Sequence, residues 1–126
     1  MNDRLNELSG RIIGAAINVH REMGPGLLES VYQRCMTLEL TAGGIHVEPE
    51  VSVAVRFRGE VITEDGFRMD LLVEDLIVVE LKSVQALQDV HKKQLLTYLK
   101  LAKKPLGLLI NFNEALLKRG IVRIAN

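Results

Sequence analysis

The stretch that decides the fold reads Leu76-Ile77-Val78-Val79-Glu80-Leu81-Lys82. Up to Leu81 it is an almost continuous apolar run, the composition of a strand buried on both faces near the middle of a sheet. Glu80 and Lys82 are out of place there, because isolated charges are strongly disfavoured in a core unless they are paired or bound to a metal. With a period of two both project from one face, ~6.6 Å apart along the strand, while Val79 and Leu81 point to the other. One face of a central strand is thereby marked as polar. The spacing alone also allows a simpler arrangement, an ion pair at a strand end beside solvent.

Upstream, residues 61–73 form a second extended region, with a break expected near Asp65-Gly66, and Glu74 and Asp75 turn it back. If that turn takes three residues (Glu74, Asp75 and Leu76), Val73 pairs with Ile77. Asp70 then comes opposite Glu80, with Cβ atoms about 5 Å apart on one face. A turn of two residues would put the carboxylates on opposite faces. Facing like charges need a compensating cation, and two carboxylates beside a backbone carbonyl make an oxygen cage suited to Mg²⁺.

Further upstream, Val47, Val51, Val53, Val55 and Phe57 alternate as a strand with one face covered, and Pro49 marks a bend or an edge. Arg58, Gly59 and Glu60 connect it to residues 61–73. Before these strands, Leu8, Ile12, Ala16, Val19 and Met23 follow helical spacing, and Gly24-Pro25-Gly26 stops that helix. A second helix carries Leu28, Val31, Tyr32, Cys35, Met36 and Leu38 to about Thr41 and makes a helical hairpin with the first. Downstream, residues 86–103 are a third helix with Leu87, Val90, Leu95, Tyr98 and Leu99, closed by Pro105. Residues 106–112 are another buried strand, and residues 121–124 a short candidate strand. The order is α-α-β-β-β-α-β.

The chain has 126 residues, 16 Lys+Arg against 16 Asp+Glu, 48% hydrophobic content and one Cys. This is the profile of a single domain over residues 1–126. The lone Cys35 excludes a disulfide framework, no Cys/His spacing fits structural zinc, and a cytoplasmic setting is expected. No apolar run approaches the ~20 residues of a membrane span. Balanced charge argues against a generic nucleic-acid coat protein.

Asp70, nine intervening residues, then Glu80-Leu81-Lys82 resembles the D-x(n)-E-x-K signature of the PD-(D/E)XK nuclease superfamily. Gly26-Leu27-Leu28-Glu29-Ser30-Val31-Tyr32 is similar to the motif that names the GxxExxY proteins. Gln94-Leu95-Leu96-Thr97-Tyr98-Leu99-Lys100 and Leu106-Gly107-Leu108-Leu109-Ile110-Asn111-Phe112 extend that resemblance, in order, over nearly the whole chain. It implies a restriction-endonuclease-like α/β core, a mixed sheet flanked by helices. It also implies that Asp70 and Glu80 hold Mg²⁺ or Mn²⁺ with the carbonyl of Leu81 as a third ligand, and that Lys82 orients or deprotonates the attacking water. Glu29 would add an acidic group and Gln94 a polar helix residue facing the site. Met69 stands where a Pro often precedes the metal-binding Asp.

Glu29 and Tyr32 lie three apart on a helix, which suits a carboxylate positioned by a phenol, although an exposed Glu beside a core Tyr has the same spacing. Tyr98 reads as core packing, His91 as a capping residue, and His20 and His46 as structural. Arg56 with Arg58, Lys92 with Lys93, and Lys100 with Lys103-Lys104 suit either solvated faces or a groove for a polyanion. With two Tyr, three Phe and no Trp, a base-stacking platform is not expected. The expected function is a divalent-metal-dependent nuclease acting on DNA or RNA, with no membrane partner. The alternative is a catalytically silent nuclease-like binding or accessory module. A homodimer is left open, since nothing in the sequence identifies a dimer surface.

Overall fold

The computed structural model describes residues 2–126. Helix α1 spans Asp3–Met23, capped by the Asn2 side chain, and α2 spans Glu29–Ala42. Strands β1 (Val47–Phe57), β2 (Glu60–Val73) and β3 (Ile77–Lys82) follow, then α3 (Asp89–Ala102), β4 (Leu106–Asn111), a 3-10 turn at Leu117–Gly120, and β5 (Ile121–Ala125). The expected order is therefore observed, with residues 121–124 joining the sheet as part of β5. Two boundaries shift. Helix α3 begins at Asp89 rather than Ala86, because Gln88 takes an extended backbone and its N–H is held by His91 Nδ1 at 2.9 Å. Phe112 lies one residue past β4, and its N–H donates to the Lys82 carbonyl at 2.8 Å.

The five strands stand in sequence order, β1-β2-β3-β4-β5. β3 and β4 run parallel, joined by α3, and the other neighbours are antiparallel. This makes a mixed α/β sheet with helices on both faces. One face packs on α1 and α2 through Ile12, Ala16, Tyr32 and Met36 against Leu71, Val79, Leu81 and Leu108. The other packs on α3 through Leu95 and Leu99 against Val78 and Leu109. Each fully buried aliphatic side chain contributes about 1.5–3 kcal/mol, so β3 and β4, buried along almost their whole length, anchor the domain's core. Gly107 permits the close approach of α3, since a Cβ there would lie 3.0 Å from the Leu95 side chain.

The turn between β2 and β3 takes three residues. Leu76 N–H donates to the Val73 carbonyl at 3.0 Å, Glu74 and Asp75 have positive φ, and Val73 pairs with Ile77. Leu76 thus belongs to the turn, not to the strand. In the outer part of the β1–β2 hairpin the pairing slips between Val53 and Val55, where three residues of β2, Glu64, Asp65 and Gly66, face one of β1. The break near Asp65-Gly66 is this bulge. At Gly66 a Cβ would meet Val55 Cγ2 at 2.0 Å, so no larger residue fits without moving β1.

A second irregularity falls beside Pro49, which marks both the sheet edge, as β1, and a bend. Leu71 packs on the α1–α2 side, yet Met69, two residues away and so expected on the same face, packs on the α3 side. On β1 the same change separates Val47 from Val51. Between them Glu50 has φ 54°, a left-handed backbone unusual for a non-glycine residue. Glu50 and Asp70 are the one pair missing from an otherwise continuous register between Val47↔Val73 and Val53↔Phe67. The hairpin changes face at Asp70.

Candidate functional site

β2 and β3 pair through only three positions, Val73↔Ile77, Leu72↔Val78 and Leu71↔Val79. Carried one step further, that register sets Asp70 opposite Glu80, as the three-residue turn requires. There the backbone ladder gives way to side chains. Asp70 N–H donates to Glu80 Oε1 at 3.3 Å, and Leu81 N–H donates to Asp70 Oδ2 at 2.8 Å. The two carboxyl groups thus close the strand pair where the main chain leaves off.

Glu80 is buried, at 8% exposure, and Asp70 is half-buried. Burial first, then the Asp70 charge and a hydrogen bond to it, push the Glu80 carboxyl up to about 9. The Lys82 charge acts in the opposite direction but as the smallest cause. Among the described residues no ion pair joins Glu80 to Lys82, so the arrangement is not a strand-end salt bridge. Lys82 is half-buried, and its carbonyl is held by Phe112 N–H. The Leu81 side chain is buried in the opposite, α1–α2 face, leaving its backbone at the carboxylates.

Tyr98 belongs to this site rather than to the core. Its ring stacks on Phe67, with centroids 4.1 Å apart and planes 4° from parallel. Its hydroxyl is raised above the usual phenol range by burial and then by the Glu80 and Asp70 charges, against a hydrogen bond with Gln94. Gln94 is exposed and bonds the Tyr98 hydroxyl, which feels the two carboxylate charges. No sequence signal separated Tyr98 from an ordinary apolar-stripe residue, since its spacing from Leu95 and Leu99 suits either role.

Glu29 is placed elsewhere. It is exposed at the start of α2 and lines an open cleft of about 480 Å³ with Leu28, Ser30, Ser83 and Asn113. Ser83 follows Lys82 directly, and its hydroxyl donates to the Leu27 carbonyl at 2.7 Å. The expected Glu29–Tyr32 partnership does not form. Tyr32 is fully buried, its hydroxyl donates to the Gly24 carbonyl at 2.6 Å and accepts from Leu27 N–H at 3.1 Å, and its ring stacks on Phe112 at 4.3 Å. The phenol therefore clamps the Gly24-Pro25-Gly26 turn and leaves Glu29 to solvent.

Asn111 was missed by sequence reasoning. It is fully buried at the end of β4, beside Lys82 in the parallel register. Its Oδ1 accepts from Val84 N–H at 3.1 Å and Asn113 N–H at 3.2 Å, and its Nδ2 donates to the Val84 carbonyl at 2.9 Å. It thus ties the loop after Lys82 to the sheet. An Asn closing a strongly apolar strand carried the signal, since a buried amide requires partners.

A parallel β3–α3–β4 unit with an antiparallel hairpin beside it, carrying two opposed carboxyls and a lysine at the end of its central strand, defines a nuclease-type α/β core. The chain belongs to the PD-(D/E)XK nuclease superfamily, whose family model matches residues 6–124. No curated protein and no solved structure matches it significantly. Among the described residues no helix is long and apolar enough to cross a membrane.

Proposed function

We propose that this chain is a Mg²⁺- or Mn²⁺-dependent nuclease of the GxxExxY subfamily, hydrolysing nucleic-acid phosphodiester bonds by attack of water at phosphorus. The observation that carries the reading is the opposed pair Asp70 and Glu80, two hard oxygen donors of which one is too buried to stay ionised unaided. This donor set fits a divalent cation of the Mg²⁺ class. Among the described residues no three His, Cys, Asp or Glu side chains gather into a metal cluster. The reading therefore assigns the third protein ligand to the Leu81 carbonyl, with water and substrate oxygens completing the shell. When bound, the ion supplies Lewis-acid stabilisation of the phosphate.

Lys82 projects from the same face as Glu80 and is assigned to orient the attacking water and to stabilise negative charge growing on the phosphate. Gln94 and the Tyr98 hydroxyl line the α3 side of the reacting centre. Glu29, on the α2 side of Lys82 across the cleft with Ser83, is assigned to hold solvent or substrate rather than to ligate the ion directly. The test is calorimetric titration of Mn²⁺ and Mg²⁺ into wild type, Asp70→Asn and Glu80→Gln, followed by a nucleic-acid cleavage screen with Lys82→Ala as control. Metal binding lost in both carboxyl variants, with cleavage lost in all three, supports the reading. Metal binding without cleavage of any DNA or RNA substrate points instead to a silent binding module.

A further inference from the structure

Of the basic residues singled out in the sequence, Arg56, Lys100, Lys103 and Lys104 converge in one place, whereas Arg58, Lys92 and Lys93 do not line it. A groove of about 590 Å³ opens between β1 and the C-terminal half of α3. Its lining includes Arg56 on one wall and Lys100, Lys103 and Lys104 on the other, and no carboxylate. In a chain with 16 cationic and 16 anionic side chains, a concave surface whose charged lining is four cations and no anion is a marked local excess. Lys104 is committed to Asp75, its Nζ lying 2.8 Å from Oδ1. No hydrogen bond or ion pair to a described residue engages Arg56, Lys100 or Lys103. Lys100 and Lys103 also complement the negative end of the α3 dipole, but Arg56, on a strand across the groove, has no such account.

The floor is apolar: Val51 and Val53 of β1, Met69 and Leu72 of β2, and Leu101 of α3. It lies on the α3 side of the sheet, the face to which the alternation from Val78 also assigns Glu80. The face change at Asp70 is what creates it. By turning Val51, Val53 and Met69 toward α3, it extends that side of the sheet beside Asp70 as an apolar shelf, in which Met69 and Leu72 are buried and Val51, Val53 and Leu101 keep the accessible surface.

We propose that this groove binds single-stranded nucleic acid and leads it to the Asp70–Glu80 site, which makes the substrate class of the nuclease a single strand or a single-stranded end. The inference rests on the nuclease reading for its direction toward the site, but not for the binding itself. A basic rim over an apolar floor matches a single strand, whose phosphates meet the cations and whose unpaired base faces, with no aromatic ring in the lining to stack on, rest on aliphatic side chains. A duplex keeps its base faces stacked inside and has nothing to place on that floor. With no side-chain amide or carboxylate in the lining and its cations assigned to phosphates, which carry no sequence information, binding is expected to be insensitive to sequence.

The experiment measures fluorescence anisotropy of a labelled oligothymidylate and of a duplex of equal length with the full chain in EDTA, across a salt series. Wild type should bind the single strand at least about tenfold more tightly than the duplex. Combined Arg56→Glu, Lys100→Glu and Lys103→Glu should weaken binding by more than tenfold. The salt slope should fall by about 2, because each phosphate neutralised on a single strand adds ~0.7 to it and the triple variant neutralises three fewer. Arg56→Glu alone, remote from the helix end, should weaken binding severalfold without disturbing α3, and Lys118→Glu on the 3-10 turn should leave it unchanged. No single-strand binding, equal binding of the duplex, or groove variants within twofold of wild type would overturn the inference. Cleavage in Mg²⁺ or Mn²⁺ by a protein whose groove variants bind normally removes the groove alone. Groove-dependent binding without cleavage under any metal removes the nuclease reading alone.

Discussion

Glu80 Oε1 accepts the backbone N–H of Asp70 at 3.3 Å, while Asp70 Oδ2 accepts the next N–H of the Glu80 strand, that of Leu81, at 2.8 Å. The two carboxyl groups therefore serve as structure and as chemistry at once. Each replaces a missing rung between β2 and β3, and the Asp70 charge together with burial holds the Glu80 proton in place. Substitutions at this pair separate the two roles.

Glu80 sits at about 9, so in the cation-free protein it keeps its proton at neutral pH, and a divalent ion must displace that proton to bind. Affinity for Mg²⁺ or Mn²⁺ should accordingly rise with pH, by up to about tenfold per unit until Glu80 ionises on its own. Calorimetry in two buffers of different ionisation enthalpy should register close to one proton released per ion near neutral pH. Because the folded-state value lies above the ordinary 4.5, the folded protein holds more protons than the unfolded chain between the two values. The contribution of Glu80 to cation-free stability is then greatest below that window and declines as pH rises through it. Glu80→Gln should remove this slope, which is at most about 1.4 kcal/mol per pH unit, and be relatively more stable at alkaline pH.

Asp70→Asn keeps an amide oxygen to accept the Leu81 N–H, whereas Asp70→Ala leaves that half-buried donor with no partner. Both variants should lose metal binding and cleavage. Thermal melts should distinguish them, with Asp70→Ala destabilised by about 1–3 kcal/mol relative to Asp70→Asn, the usual cost of an unsatisfied buried polar group. Equal melting temperatures would mean that the Leu81 N–H finds another acceptor.

Asn111 makes three hydrogen bonds from a fully buried position, two of them to Val84. Asn111→Ala should cost about 2–4 kcal/mol and release residues 83–88, the segment that carries the chain from Lys82 to α3. Hydrogen exchange should show loss of protection at the Val84 amide before any general loss in β4. Asn111→Asp keeps both accepted bonds but loses the donor to the Val84 carbonyl and buries a charge, so it should not rescue stability.

The central strand and the register were legible because each rests on a local rule. An apolar run interrupted by Glu80 and Lys82 signals a central strand with a polar end, and turn length fixes which residue faces Glu80. What escaped depended on packing between segments distant in sequence. Pro49 marks a bend or an edge, but nothing in Pro49-Glu50 says that the bend is a left-handed Glu50 after which Val51 and Met69 face α3 and line the basic groove. Tyr98 shares an apolar stripe with Leu95 and Leu99, and only its stack on Phe67, far away in sequence, and the Asp70 and Glu80 charges on its hydroxyl set it apart from them. The basic pairs were visible, but which of them share a surface is a property of the β1–α3 packing alone.

Tyr32 tests the remaining assignment, that of Glu29. The phenol is bonded at both lone-pair and proton positions within the turn that leads into α2, to Leu27 N–H and the Gly24 carbonyl, and its ring is held by Phe112. Tyr32→Phe preserves the ring and its stack but strands both turn groups, so it should cost about 1–3 kcal/mol. If Glu29 acts only as a solvent-facing group that touches substrate in the Ser83 cleft, Tyr32→Phe should raise KM several times as the α2 entry loosens, with kcat little changed. Glu29→Gln should then do the same without the loss of stability. A fall in kcat of about a hundredfold or more in Glu29→Gln, the scale expected when a general acid–base group is removed, would instead place Glu29 at the reacting centre. That outcome would require the α2 entry to move toward Asp70 when substrate binds.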